Sequence, residues 1–239
     1  MPKKAFGNWC HSVLVVSDID LTTNLPVMKS LAFLKSSIKD FILNINNDYR
    51  YMKIGYYVSL HAEILENPVI PSSENIIDAN RIPILLLRAQ KAGISSSPYL
   101  VTNSVKQIIT EIGFPVIVFA VNPFSHNGFR IAKNRSALYR AVKSLSMNYK
   151  YTVCVQPLIG EVISFKSIFG KCELDGEIGK ISEKVYEVFE IPICKVNVQR
   201  IEGKPCLCGL QSLKMGEILP TDLKVLSEEI ISKKADAIG

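Results

Sequence analysis

Apolar residues along this chain fall into short runs and helical stripes, separated by polar turns. The run from Ser12 to Ser17 is expected to be a strand, followed by a loop from Asp18 to Leu25. Pro26 suits a helix start, and Val27, Leu31, Leu34, Ile38, Phe41 and Ile45 recur at spacings that share one helical face. The segment is therefore predicted as one helix, ended by Asn46 to Arg50. Lys53 to Val58 reads as a second strand, Ser59 to Glu66 as a short helix, and Val69-Ile70 as a short strand before Pro71. Together these make a small βαβ-type unit.

Further along, Ser72 or Ser73 is placed to cap a helix through Asn75 to Arg81. Pro83 interrupts it, and a second helical run from Ile84 to Ala92 closes at Gly93. Ile94 to Pro98 reads as a linker and Tyr99 to Thr102 as a strand. Ser104 and Gln107 have the spacing of a capping box for a helix through Ile112. Gly113 suits the left-handed position after it. The β-branched run Val116 to Val121, a polar turn Asn122 to Gly128, and a return strand Phe129 to Ala132 form a hairpin. Such a loop can present backbone N–H groups to an anion, and it can equally be an ordinary turn. Arg135 to Met147 is predicted as a basic amphipathic helix, Tyr151 to Ile159 and Val162 to Phe169 as strands, and Ser182 to Phe189 as a helix. Pro192 to Ile201 and Lys204 to Leu210 form a second hairpin across Glu202-Gly203. Thr221 or Asp222 is expected to cap a last helix reaching about Lys234.

Composition narrows the class. An apolar content of 48% supports a packed core in a chain of 239 residues, as one large domain or several lobes. The longest apolar runs fall far short of a membrane span, and Val13 to Val16 is too short for the core of a signal peptide. A soluble, cytoplasmic protein is expected. Six cysteines without CxxC spacing lie mostly in strand-like runs, which predicts buried free thiols rather than zinc ligands or disulfides. The net charge of +6 is unevenly spread. From Ile112 to Gly160 there is no Asp or Glu, while Arg130, Lys133, Arg135, Arg140, Lys143 and Lys150 fall in that window. A field of one sign points to an anionic partner, such as a nucleotide phosphate or a nucleic acid; a solvated helix face has the same composition.

In this order, several segments carry a resemblance. His61 to Ser72 (HAEILENPVIPS), Ile84 to Thr102 (ILLLRAQKAGISSSPYLVT), Ile112 to Val118 (IGFPVIV), Val155 to Ile159 (VQPLI) and the hairpin Ile193 to Leu207 resemble successive motifs of the ATP-grasp superfamily. The likeness is to its RimK-type carboxylate–amine ligases and spans roughly residues 54 to 218. It implies a mixed α/β, ATP-grasp-like fold of three lobes with a shortened N-terminal βαβ lobe. The expected boundaries are 1–71 for that lobe, 72–155 for the linker helices and central lobe, and 156–239 for the C-terminal lobe. It also implies ATP clamped between the last two lobes, an acyl phosphate made from a carboxylate, and attack by an amine. That chemistry needs cations at the phosphates and Mg²⁺ on acidic oxygens.

The chain departs from the family where those groups belong. An Asp-Lys pair is matched by Asn80-Arg81, and Arg81 keeps only the charge. The phosphate lysine that ends the central strand is matched by Phe119. Pro157 replaces the hinge acid after Gln156 and lacks an N–H for adenine. The metal acids are matched by Asn197, Gly209 and Gln211, and no acid occurs between Gly203 and Gly216. The resemblance therefore implies ATP as the ligand while the donor set argues against Mg²⁺. The residues it leaves for a nucleotide or other anion are Arg81, the loop Ser125, His126, Asn127 and Gly128, Arg130 with Lys133 nearby, and Gln156.

Three functions compete. The first is a divergent RimK-like protein binding a nucleotide, another anion, a protein partner or a second copy of itself, with ligase chemistry lost or weakened. The second is an active ligase with acids from Glu161, Glu173, Asp175 or a partner subunit. The third is a nucleic-acid-binding module using the basic window and Tyr139, Tyr149 and Tyr151. The absence of any known RNA-binding motif ranks the third last, and no membrane partner is expected.

Overall fold

A computed structural model describes residues 12–121 and 129–238, with side chains placed to residue 232. Three sheets organise them. The first is parallel throughout: β1 (Val13–Ser17) pairs with β2 (Val27–Met28) and β3 (Phe41–Ile45), and β3 pairs with β4 (Val69–Ile70), in the order β2-β1-β3-β4. One face, through Leu14, Val16 and Ile42, packs on α1 (Ser30–Phe33) and α2 (Ile54–Ile64). The other, through Val13, Val15, Leu43 and Ile45, joins the main core.

Two expectations for this region are corrected. Residues 26 to 45 form no continuous helix: Phe41 to Ile45 is β3, in register with Val13 to Ser17. The helical spacing arose from three separate elements, β2, α1 and β3, and burying both faces of a parallel strand overrode it. Lys53 to Val58 is not a strand but the start of α2. Gly55, Tyr56, Val58, Ser59 and Ala62 make its buried face, a helical spacing hidden by β-forming residues. Gly55 is required here, because a Cβ would sit 2.7 Å from the Asp48 carbonyl oxygen.

The linker helices follow expectation closely. Ser72 caps α3 (Ser73–Asn80), accepting from the Asn75 N–H at 3.1 Å. α4 (Ile82–Lys91) carries Pro83 in its first turn, where the missing N–H costs little. Both helices pack on α7 (Glu177–Phe189) and on the C-terminal sheet. That sheet is the antiparallel trio β9 (Val162–Ile168), β10 (Ile193–Ile201) and β11 (Lys204–Gln211), in the order β11-β10-β9.

The central sheet contains β5 (Leu100–Thr102), β6 (Val116–Ala120), β7 (Phe129–Ala132) and β8 (Val153–Pro157), ordered β5-β8-β6-β7 and antiparallel at each junction. Side chains alternate between its faces. Val116, Val118, Val153 and Val155 meet α5 (Val105–Glu111) and α6 (Arg135–Leu145) in a separate core. Ile117, Phe119 and Cys154 face the other way and join the main core, with Leu207 and Cys208 of β11. Ser104 caps α5 through the Gln107 N–H, but the Gln107 side chain turns to Thr102 and Glu111, so the box closes on one side only.

The last helix, α8 (Pro220–Ile238), begins one residue before the expected caps. Asp222 Oδ2 instead accepts from the Leu219 N–H at 2.7 Å, the reciprocal arm of a capping box. Of the described cysteines, Cys154, Cys194, Cys206 and Cys208 are buried free thiols and Cys172 is half-buried and free. Among the described residues no helix is long and apolar enough to cross a membrane.

Candidate functional site

The positions matched to the family's phosphate lysine and metal acids converge where β6 of the central sheet meets β11. Pairing of Phe119 with Phe129 across β6 and β7 places their rings 5.5 Å apart on the face turned toward β11. Phe119 is 2% exposed. A Cβ added at Gly209 would lie 3.2 Å from Phe119 Cε1 and 2.9 Å from Ile82 Cδ1. The matched lysine and metal-acid positions are thus in direct contact, and both are built as apolar packing.

Beside this contact, β10 presents Lys195, Asn197 and Gln199 on one face, opposite Gln211, Gly209 and Cys206 of β11. Asn197 is fully buried. Its Oδ1 accepts from Ser164 Oγ at 2.6 Å, and its Nδ2 donates to the Gly209 carbonyl at 3.4 Å. A hard dication requires several anionic oxygens. Here one amide oxygen is committed to a hydroxyl, Gly209 has no side-chain donor, and Gln211 is neutral. These residues do not fit Mg²⁺. Among the described residues no group of three or more His, Cys, Asp or Glu side chains is placed to hold a metal. Glu161, Glu173 and Asp175 are each exposed.

Two glutamines tie the central and C-terminal sheets together. Gln156 is fully buried; its Nε2 donates to the Cys208 carbonyl at 2.8 Å, while its Oε1 is buried without a hydrogen bond. Gln199, also fully buried, bridges three segments. Its Nε2 donates to Ser97 Oγ at 2.6 Å and to the Pro157 carbonyl at 3.1 Å, and its Oε1 accepts from the Ile159 N–H at 3.2 Å. The last carbonyl of β8 and the Ile159 N–H just after it are therefore engaged by this chain's own side chain.

The other predicted residues do not assemble around this point. Arg81 is exposed at the junction of α3 and α4. Arg130 pairs with Val118 across the hairpin. That places it on the α5–α6 face, opposite to Phe119, and it is exposed. Lys133, Arg135, Arg140, Lys143 and Lys150 are exposed as well, while Leu138, Ala141, Val142 and Leu145 make the buried face of α6. Ser125, His126, Asn127 and Gly128 lie outside the described residues.

An open cavity of about 550 Å³ lies along β9 and the start of α8. Phe165, Ile168, Leu174 and Val225 supply apolar wall, and Ser164, Lys166, Lys195 and Asp222 supply polar groups. Lys166 Nζ is 2.5 Å from Asp222 Oδ2, and Lys195 Nζ is 2.7 Å from Glu217 Oε1. The Lys195 ammonium holds the Glu217 carboxyl below the usual carboxylate range. Sequence reading missed Ser97, Ser164, Lys166, Lys195, Gln199 and Asp222 as a set. A signal was present: Lys195, Asn197 and Gln199 are separated by Val196 and Val198, and Ser164 and Lys166 by Phe165, which marks a polar face on a buried strand.

Comparison with solved structures defines the class. The fold aligns with D-alanine–D-alanine ligase from Bacillus anthracis in complex with ATP at a TM-score of 0.64 and 16% identity, over 95% of this chain and 98% of that one. A RimK domain ATP-grasp protein from Sphaerobacter thermophilus gives 0.60 and 13%, over 90% and 97%. The ATP-grasp ligase PsnB, complexed with the precursor peptide PsnA2 and AMPPNP, gives 0.62 and 14%, over 94% and 98%. At these identities the likeness is one of fold, and the fold is ATP-grasp. The sequence profile of the RimK-like ATPgrasp N-terminal domain matches residues 32–229, and the chain belongs to that family. Curated protein sequences give no match.

Proposed function

We propose that this chain is an ATP-grasp protein that binds a nucleotide or another small anion without Mg²⁺-dependent ligation. The observation that carries this reading is the contact of buried Phe119 with Gly209. Phosphoryl transfer depends on charges fixed at the phosphates, and loss of each such group costs several kcal/mol of transition-state stabilisation, on the order of 3. A phenyl ring and a glycine supply none. Lys166 and Lys195, in the wall of the 550 Å³ cavity, are the cations this reading offers to an anion. ATP is the first ligand to test, since D-alanine–D-alanine ligase and PsnB, which share the fold, are named as complexes with ATP and with AMPPNP.

Thermal unfolding with ATP or ADP, each with and without Mg²⁺, tests the proposal. A ligand at ~100 times its Kd stabilises the native state by about 2.7 kcal/mol, a rise in midpoint of roughly 5–10 °C for a chain of this size. The expected result is a rise that is the same with and without Mg²⁺, and no ATP turnover. A rise that requires Mg²⁺, accompanied by ADP release, overturns the proposal in favour of an active ligase. Glu173, which lines the same cavity as Asp222, is then the first acid to mutate.

A further inference from the structure

A second, smaller cavity lies at the other end of the β10–β11 hairpin. It has a volume of about 220 Å³ and is walled by the Gly93–Ser95 linker, α7 and the start of β11. Three lysines line it, Lys180, Lys184 and Lys204, against one acid, Glu177. They are brought together by separate devices. Lys180 and Lys184 lie one turn apart on α7, beside its buried stripe of Ile178, Ile181, Val185 and Phe189. Lys204 is set by a two-residue turn in which Glu202 and Gly203 both have positive φ, 51° and 80°. The third wall is held in place by the chain itself: the Ile94 N–H donates to the Ala89 carbonyl at 2.9 Å, and the Leu207 N–H donates to the Ser95 carbonyl at 2.8 Å.

Charge pairing separates this group from its neighbours. Lys166, Lys171 and Lys195 each have a carboxylate within 2.7 Å. Among the described residues, Lys180, Lys184 and Lys204 have none within 4.0 Å, although Glu177, Glu183 and Glu187 share α7 with two of them. Like charges four residues apart on a helix repel, and a third lysine on the same cavity adds to the cost. Three unpaired ammoniums around one open concavity are satisfied by a compact, multiply charged anion. Lysine binds phosphate as a point charge, and an arginine can replace it there through its fork. The volume is below the usual range for a drug-sized ligand.

From these observations we infer that the cavity of Lys180, Lys184 and Lys204 is a binding site for a small phosphate-bearing anion, separate from the Phe119–Gly209 region and independent of whether that region binds nucleotide. The register places Lys204 at the hairpin turn opposite Ile201, while Lys195 and Gln211 pair at the far end.

Titration calorimetry with sodium pyrophosphate at fixed low ionic strength tests the site, using wild type, Lys184→Gln, Lys204→Gln, Lys184→Arg and, as a control on exposed α6, Lys143→Gln. All these side chains are exposed, and circular dichroism confirms folding. Wild type is expected to bind one pyrophosphate. Each Gln substitution at the site is expected to weaken binding about tenfold; Lys184→Arg and Lys143→Gln stay within about twofold of wild type. Absence of binding at millimolar pyrophosphate overturns the assignment. Binding that the two Gln variants leave unchanged also overturns it, by placing the anion elsewhere. A single-stranded RNA that binds these lysines far more tightly than pyrophosphate, with a steep salt dependence, overturns the small-anion class in favour of a nucleic acid.

Discussion

Gln199 illustrates how much one side chain can decide. Its carboxamide satisfies Ser97 Oγ, the Pro157 carbonyl and the Ile159 N–H at once. Gln199→Leu keeps the size but leaves buried polar groups without a partner, each at a cost of about 1–3 kcal/mol. The expected loss is about 3 kcal/mol in urea unfolding, and the Ile159 amide should exchange with deuterium faster than in wild type. A loss below about 0.5 kcal/mol would show that water replaces the carboxamide and that the tie has little strength. Cys154, Cys194 and Cys208 act at the same scale through pH. Burial pushes each thiol up to about 12. In the unfolded chain they ionise near about 8.5. Above that pH the unfolded state sheds protons that the folded state keeps, so stability falls as pH rises. Between pH 7 and pH 9.5 the three together are expected to remove about 4 kcal/mol, an upper figure, by urea unfolding under reducing conditions. A flat profile across that interval would refute it.

Between elements, the contact of β6 with β11 is the most exacting. Gly209→Ala must push against Ile82 Cδ1 and Phe119 Cε1, and overpacking of this kind costs about 1–3 kcal/mol. Phe119→Ala alone leaves a cavity and costs about 3–5 kcal/mol. The double substitution is expected to cost at least 1 kcal/mol less than the sum of the two, roughly, because the ring that obstructs the new methyl is gone. Additive losses in a double-mutant cycle would place the Gly209 strain on Ile82 instead. The start of α8 offers a second test. Asp222 holds both the Lys166 ammonium and the Leu219 N–H, with 8% of its side chain exposed. Asp222→Asn is expected to cost about 2 kcal/mol. Its check is the thermal midpoint, which should fall by roughly 4–8 °C.

Across the whole molecule, one continuous core links the parallel sheet, the linker helices, the C-terminal sheet and one face of the central sheet. Among the described residues, only the outer faces of the parallel and central sheets have cores of their own. This arrangement explains which predictions came from the chain directly. Ser72 and Ser104 as caps, the β6–β7 and β10–β11 hairpins, the amphipathic α6 and the buried thiols depend on neighbours within a few residues, so local composition specifies them. The order of the motifs likewise carried the ATP-grasp fold and the family, and it exposed the uncharged residues at Phe119, Asn197 and Gly209. Residues 26 to 45 failed because parallel pairing joins strands across long crossovers, and no local period records which segment will pair with β1. Lys53 to Val58 failed because β-forming residues masked the helical spacing of α2. The face on which Arg130 lies, the closure of Phe119 on Gly209, the bridging by Gln199 and the meeting of Lys180, Lys184 and Lys204 were likewise decided by tertiary structure alone. Each joins residues tens of positions apart in sequence or depends on strand register, and a register shift of one residue would reverse every face involved.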